Sequence, residues 1–547
     1  MKDLIGSYER LREIYRLYVE SAFPLRNKSI ENERHELIGS GTLLSQVPLI
    51  EPSVLYPLSG FTIDEAVKSL GTDYDGLATL ARPFMRTFEL YEHQLKSLKD
   101  TLIEKKDIVV STGTGSGKTE CFLLPLLGEI ARDSRLWPKS PMPTEDDRYW
   151  WHQGNQWKAQ WSHSRRNEGV GMHAMRGMIL YPLNALVEDQ LRRLRAALDS
   201  DEVHSWLDKE RGGNRILFGR YTGSTPIPGK IPRARGDANR VARLTKYMKN
   251  AEKEYLRVAE AALADPDVRY HFQNLNGGEM WSRWDMQVTP PDILITNYSM
   301  LNIMLMRETE QSVFECTQKW LESDKENVFS LVVDELHSYR GTVGTEVGYI
   351  LRLFLERLGL EPDSKQLRLI ATSASIDVNS GRFLEEFFGR SRDRFSFISG
   401  SPLPHKKGNI IKVSSYAAQF AAFAKTAQSD PINPLQPPKE EDLAIALKHL
   451  AHDFDQEIND IKSAESAVGS ALDELGVSDA IREGCELVNG TVRATRVTDL
   501  DKVFFPEEHK LEGRVVSESM RGLLIALACS KDQIGNSMMP PNFPTKL

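Results

Sequence analysis

The chain has 547 residues, 40% hydrophobic and 27% charged, and 69 Lys and Arg against 77 Asp and Glu leave a formal net charge of −8. This composition is ordinary for a soluble globular protein of about two to four domains. No apolar run reaches the roughly 18 residues a bilayer-spanning helix needs, the N-terminus lacks a signal-peptide core, and the four separated cysteines form no C-x-x-C pair. These features exclude a zinc ribbon or disulfide framework and predict a cytoplasmic protein with no membrane partner.

Residues 1–80 read as a helical N-terminal extension. Ser7–Tyr18 places apolar groups at helical spacing, and Pro48, Pro52 and Pro57 follow in turns. From residue 81 to 405 strand-like runs alternate with helical ones, at 107–111, 177–181, 215–221, 292–296, 329–333 and 367–372. Such alternation predicts an α/β fold, a parallel sheet with helices on both faces and ligands at the carboxyl ends of its strands. Two insertions are expected within it. One, at about 133–175, holds Trp137, Trp150, Trp151, Trp157 and Trp161 beside His163, Arg165 and Arg166. The other, at about 229–288, carries the basic run Lys230, Arg233, Arg235, Arg240, Arg243, Lys246 and Lys249. Tryptophans in an insertion more often form a satellite core than a base-stacking platform, and a basic helix face is more often solvated than bound to DNA. Pro-rich residues 406–440 read as a linker, and 441–547 as a mostly helical segment.

The first chemistry-bearing motif lies at the end of the run Asp107–Val110. Thr112-Gly113-Thr114-Gly115-Ser116-Gly117-Lys118-Thr119 is a Gly-rich turn between a strand and a helix. Backbone N–H groups of Thr114, Gly115, Ser116 and Gly117 can wrap phosphates. Lys118 can reach the β and γ phosphates, and the Thr119 hydroxyl can hold Mg2+. The first position of the usual pattern is Gly or Ala, and here it is Thr112. The second motif ends another buried run, Val328–Val333, with Asp334-Glu335-Leu336-His337. Asp334 would hold Mg2+, and Glu335 would polarise the attacking water. Together the motifs predict an ATP and Mg2+ site.

With both motifs placed, the chain resembles the superfamily 2 DEAD/DEAH-box helicases, which implies a RecA-like domain. Tyr91-Glu92-His93-Gln94 resembles their adenine-reading segment. The resemblance implies that Gln94 bonds the base and that Phe88 stacks on it. The stretch from Tyr181 to Gln190, with Pro182 and Asn184, resembles a loop that touches nucleic-acid phosphates. Tyr221-Thr222-Gly223-Ser224-Thr225 and Thr296-Asn297-Tyr298 resemble two further such loops, where short hydroxyls would serve as donors. Ser373-Ala374-Ser375 resembles the segment that couples nucleotide state to strand binding, with Ser373 and Ser375 in that role. In detail the motifs are most similar to the MrfA/Lhr-related branch, and to large antiphage-defence helicases of the Druantia and then the DISARM type. This implies a DNA helicase or translocase acting on a single strand, or on a duplex with a single-stranded end. No Gln-x-x-Gly-Arg-x-Gly-Arg segment follows Ser375, so the sequence is expected to be the N-terminal part of a motor completed by a second RecA-like domain or subunit. The alternative is a nucleotide-binding scaffold or switch subunit that binds a partner protein and has little ATPase activity by itself.

The resemblance assigns His337 to the relay between ATP and strand movement. In a motor with both RecA-like domains, His337→Ala should keep ATP affinity within about twofold yet lose unwinding per ATP hydrolysed. A variant that unwinds normally would remove His337 from the relay.

Overall fold

The computed structural model describes residues 3–39, 44–52, 56–85, 89–113, 116–140, 148–152, 156–159, 172–183, 185–231, 237–263, 266–373, 376, 380–401, 403, 407–427, 440–454, 461–486, 492–508 and 514–531. Two compact units emerge, Val54–Leu403 and Met1–Ser53 together with Pro404–Leu547. Residues 3–39 and 44–52 of the expected extension thus fold with the C-terminal helices, whereas residues 56–80 pack on the sheet unit.

The larger unit is built on seven strands, β1 (Asp107–Ser111), β2 (Gly177–Tyr181), β3 (Phe218–Tyr221), β4 (Ile293–Asn297), β5 (Phe329–Val333), β6 (Leu367–Ser373) and β7 (Phe395–Ser399). Their order across the sheet is β7-β1-β6-β5-β2-β4-β3, and every pairing is parallel. Alternate side chains feed two cores. Ile108, Val110, Ile179, Tyr181, Ile293, Val332 and Ile370 enter one. Val109, Met178, Leu180, Leu294, Leu331, Val333 and Leu369 enter the other. Helices Glu92–Leu102, Lys118–Ser134 and Ala185–Asp199 cover the first face. Helices Tyr298–Met306, Gln311–Ser323 and Gly341–Arg357 cover the second. Burial on both faces is why these strands read as continuous apolar runs. β7 was not among the expected strands. It sits at an edge, and the hydroxyls of Ser396 and Ser399 break its apolar run.

Where strands begin, the sheet is locked by buried ion pairs. Asp107 opens β1, accepts the Leu369 N–H at 2.8 Å and pairs with Arg390 at 2.6 Å, both side chains fully buried. Burial holds its carboxyl above the ordinary range even so. Asp292 precedes β4, accepts the Leu217 N–H at 2.7 Å and pairs with Arg176 at 3.0 Å. The Arg176 guanidinium lies over the Trp137 and Trp320 rings.

The two insertions share one satellite core. Trp150, Trp151, Trp281 and Trp284 are buried with Val241, Leu244 and Met248 of the helix Ala238–Ala261. Trp151 meets Trp281 edge-on at 4.9 Å, and its indole N–H donates to Glu252 at 2.9 Å. Trp150 is therefore occupied in packing, as is Trp157 against Trp284. Trp161, His163, Arg165, Arg166, Arg233 and Arg235 lie outside the described residues.

In the second unit, helices Ala417–Thr426 and Glu518–Cys529 approach so closely that a Cβ on Gly522 would lie 1.9 Å from the Phe420 carbonyl oxygen. The start of helix Leu4–Ala22 joins this core through Ile5 and a buried Asp3–Arg521 pair at 2.8 Å.

The Asp107–Arg390 pair carries a stability prediction. Arg390→Met leaves a buried carboxylate without its cation and should destabilise the sheet unit by about 3–5 kcal/mol. Adding Asp107→Asn should recover part of that loss, as read by urea denaturation. Equal midpoints for parent and single variant would mean that solvent reaches Asp107.

Candidate functional site

Because all seven strands run the same way, the loops that follow them leave from one edge. β1 and β6 are in register with Ser111 opposite Ser373, and β5 and β6 with Val333 opposite Ala371. The segments after β1 and β5 therefore emerge on either side of β6.

After β1 the chain turns into helix Lys118–Ser134, whose first residue is the predicted lysine. Gly117 lies in the left-handed region, φ +77°, and a Cβ there would stand 2.2 Å from the Gln94 amide nitrogen. Only glycine fits both demands. The Ser116 hydroxyl donates to the Gly113 carbonyl at 2.8 Å and lies 2.5 Å from the Thr112 hydroxyl. Thr112 thus takes part in closing the loop. The His93 ring N–H donates to the Ser116 carbonyl at 2.7 Å, and burial lowers the basicity of that imidazole. Gln94 accepts the Tyr91 N–H at 2.9 Å and donates to the Gly117 carbonyl at 3.5 Å. Its amide thus braces the loop, and reading an adenine edge would require exchanging these bonds. Tyr56 lies edge-on to Tyr91 and His93, with its hydroxyl 3.1 Å from where a Gly113 Cβ would stand. Thr114, Gly115 and Phe88 lie outside the described residues.

After β5, Glu335 takes the left-handed conformation, φ +51° and ψ +47°. A non-glycine residue is strained there by about 1–2 kcal/mol. The turn swings the Glu335 carboxylate to 3.8 Å from the Lys118 ammonium, and His337 Nδ1 lies 3.3 Å from its other oxygen. The Asp334 N–H donates to the Leu180 carbonyl at 3.0 Å. The Thr372 hydroxyl donates to the Asp334 carboxylate and accepts the Glu335 N–H at 3.3 Å. Desolvation raises the Asp334 carboxyl most, the Thr372 bond pulls it back, and Glu335 repulsion adds to the rise.

Thr119 and Asp334 offer one hydroxyl and one carboxylate oxygen, the hard donors Mg2+ prefers. Among the described residues Asp334 has no arginine of the kind that neutralises Asp107 and Asp292, and a divalent cation would supply that charge. Among the described residues no cluster of three or more metal-ligating side chains occurs. Further ligands would come from phosphate oxygens and water, the usual arrangement for this ion.

The expected strand-binding residues divide. Gly223 is exposed with open space around it, and Pro182 is partly exposed. Thr296, expected to offer a hydroxyl outward, is fully buried and donates to the Tyr221 carbonyl at 2.7 Å. Its position inside β4 turns it toward β3, so this hydroxyl ties the two strands together. Thr222 is also buried, with its hydroxyl 2.9 Å from that of Ser224. Asn297 caps helix Tyr298–Met306 by accepting the Met300 N–H. Ser373 is buried at the end of β6, and Asn184 and Ser375 lie outside the described residues. Helix Ala185–Asp199 docks on the lysine-bearing helix through Gln190 to Thr119 at 3.4 Å and Arg193 to Glu120 at 2.7 Å. Sequence reasoning had not singled out Thr372, His93, Tyr56 or Arg193 for the site. Thr372 sits one position before the predicted Ser373 and His93 one before Gln94, a signal in each case available by adjacency.

Residues 91–216 match the family model described as DEAD/DEAH box helicase. The chain is 29% identical, over 569 aligned residues, to Druantia protein DruE of Escherichia coli (strain UMEA 4076-1), covering 95% of this chain and 28% of that protein. It is 23% identical over 303 residues to Uncharacterized ATP-dependent helicase MJ1574 of Methanocaldococcus jannaschii, covering 55% and 28%. It therefore spans little more than a quarter of these curated relatives. Among solved structures it is similar to DUF1998 helicase MrfA bound to DNA, at 20% identity and TM-score 0.34, over 76% of this chain and 43% of that one. A second similar structure is DEAD-box helicase Mss116 bound to ssRNA and UDP-BeF, at 12% identity and TM-score 0.34, over 68% and 54%. The helicase-family match thus falls within the sheet unit, on residues 91–216.

The raised Asp334 carboxyl sets a pH-dependent prediction. A folded-state value above the unfolded one means that stability falls as pH rises through that window. Asp334→Asn should raise the melting temperature of the sheet unit at about pH 8, and the gain should shrink as the pH falls toward the ordinary carboxylate value of 3.8. A variant less stable than the parent at both ends would contradict this account of Asp334.

Proposed function

Taking that family match as premise, we propose that Val54–Leu403 is the ATP-binding half of an ATP-driven DNA translocase that works in antiphage defence of the Druantia type. The observation that carries the reading is the meeting of Lys118 with Glu335 at 3.8 Å, beside Asp334. A lysine at a helix N-terminus and two carboxylates form the charge pattern that a magnesium triphosphate complements. In this proposal Lys118 takes the Glu335-facing phosphate and releases that carboxylate toward water. Glu335 then orients the water, and Thr372 fixes Asp334 so that its free oxygen, with the Thr119 hydroxyl, faces the metal. Bound Mg2+ would neutralise phosphate charge as it develops. His337, bonded to Glu335, senses whether that carboxylate is engaged.

Hydrolysis coupled to movement calls for a second RecA-like domain, which would contribute an arginine worth about 10³–10⁵ in rate. The Lys118 helix and helix Ala185–Asp199 are tied by Gln190 and Arg193. That tie supports a route by which the loop at Pro182 responds to nucleotide.

The test is equilibrium binding of a fluorescent ATP analogue with and without Mg2+, together with steady-state hydrolysis. The isolated chain should bind in a Mg2+-dependent way, weaken about tenfold or more as Lys118→Ala, and hydrolyse ATP slowly until the second domain is supplied. Equal affinity of parent and Lys118→Ala would overturn the site. A robust strand-stimulated rate from the chain alone would overturn the need for a second half.

A further inference from the structure

We propose that the inserted helix Ala238–Ala261 carries a phosphate-tracking stripe for a single DNA strand, made of Arg243, Lys246, Lys249, Lys253 and Arg257. The proposal rests on the DNA reading above and assigns that reading a surface. The helix buries Val241, Leu244 and Met248 against the tryptophan core. At 100° per residue the five basic positions, spaced three, three, four and four apart, fall on the opposite side. All five are exposed. None makes an ion pair among the described residues.

Two features set this stripe apart from an ordinary solvated face. Its i,i+4 neighbours, Lys249 with Lys253 and Lys253 with Arg257, are cation on cation, and each such pair destabilises a helix by a few tenths of a kcal/mol. A helix built for solubility would alternate the sign. The nearest carboxylates make no ion pair with it among the described residues. Glu252, three residues from Lys249, is held by Trp151 and His152, and Glu254 and Glu260 each lie three residues from Arg257. The stripe also stands out against a chain of net charge −8.

Position supports the same partner. The insertion leaves the sheet directly after the Thr222 loop. It is fastened there by Arg283 to the Thr222 carbonyl at 2.6 Å and by Arg240 to the Pro228 carbonyl at 3.1 Å. Since the hydroxyls of Thr222 and Thr296 are spent inside the fold, that edge needs cations from elsewhere to neutralise phosphates. From there the stripe runs along the helix for about 21 Å, 14 steps of 1.5 Å each. Such contacts carry affinity and no base sequence.

The experiment titrates the full chain with a fluorescein-labelled single-stranded oligonucleotide across a salt series. It compares the parent with the variant R243Q, K246Q, K249Q, K253Q and R257Q, and nucleotide binding and circular dichroism verify that the variant is folded. The expected result is a loss of at least about tenfold in affinity. The slope of log affinity against log salt should flatten by about 0.7 for each phosphate contact removed. Unchanged affinity and slope in the folded variant would overturn the stripe while leaving the ATP site and DNA reading intact. Affinity of the stripe for an acidic protein alone would give that same unchanged result. A parent that binds no DNA would overturn both.

Discussion

Parallel registry among β1, β6 and β5 is the constraint on which the site depends. Pairing Ser111 with Ser373 and Val333 with Ala371 fixes where each strand runs out. A slip of one residue would invert every side chain between the two cores, and it would carry Thr372 away from Asp334. The buried runs that make the sheet insoluble alone are thus also what bring Lys118 and Glu335 together.

The sheet treats its carboxylates differently at its two ends. Asp107 and Asp292 stand where strands begin, and each receives a backbone N–H and an arginine. Such pairs hold the scaffold shut because removing either partner strands a charge in a dry interior. Asp334 stands where a strand ends. It receives the Thr372 hydroxyl, and the Lys118 ammonium acts on it from longer range. A carboxylate left under-neutralised beside an anion-seeking helix terminus is suited to exchange partners. Strain at Glu335 belongs to the same end, where the turn conformation sets the carboxylate against Lys118.

Most of the sheet was legible because burial on both faces writes strands as plain apolar runs. β7 was not, since its serines and edge position remove that signal. The Lys118 loop and the acidic pair were legible as motifs. What the sequence could not reveal was how their hydrogen bonds are distributed. Thr296 looked like an outward donor, yet in three dimensions the neighbouring Tyr221 carbonyl claims it. The motif around Gln94 implies a base contact, whereas its amide here braces Gly117. The partnership of the two insertions was also hidden, because Trp151 and Trp281 meet across a sequence separation of 130.

The pairing of Asp3 with Arg521 spans 518 positions. During synthesis at about 5–20 residues per second, the opening helix must wait until 518 further positions are translated before its anchor emerges. The sheet between them has no such delay, since its last strand closes at Ser399. Assembly of the helical unit therefore follows synthesis of the whole sheet unit. Until it occurs, Ile5 and its neighbours stand open to chaperones.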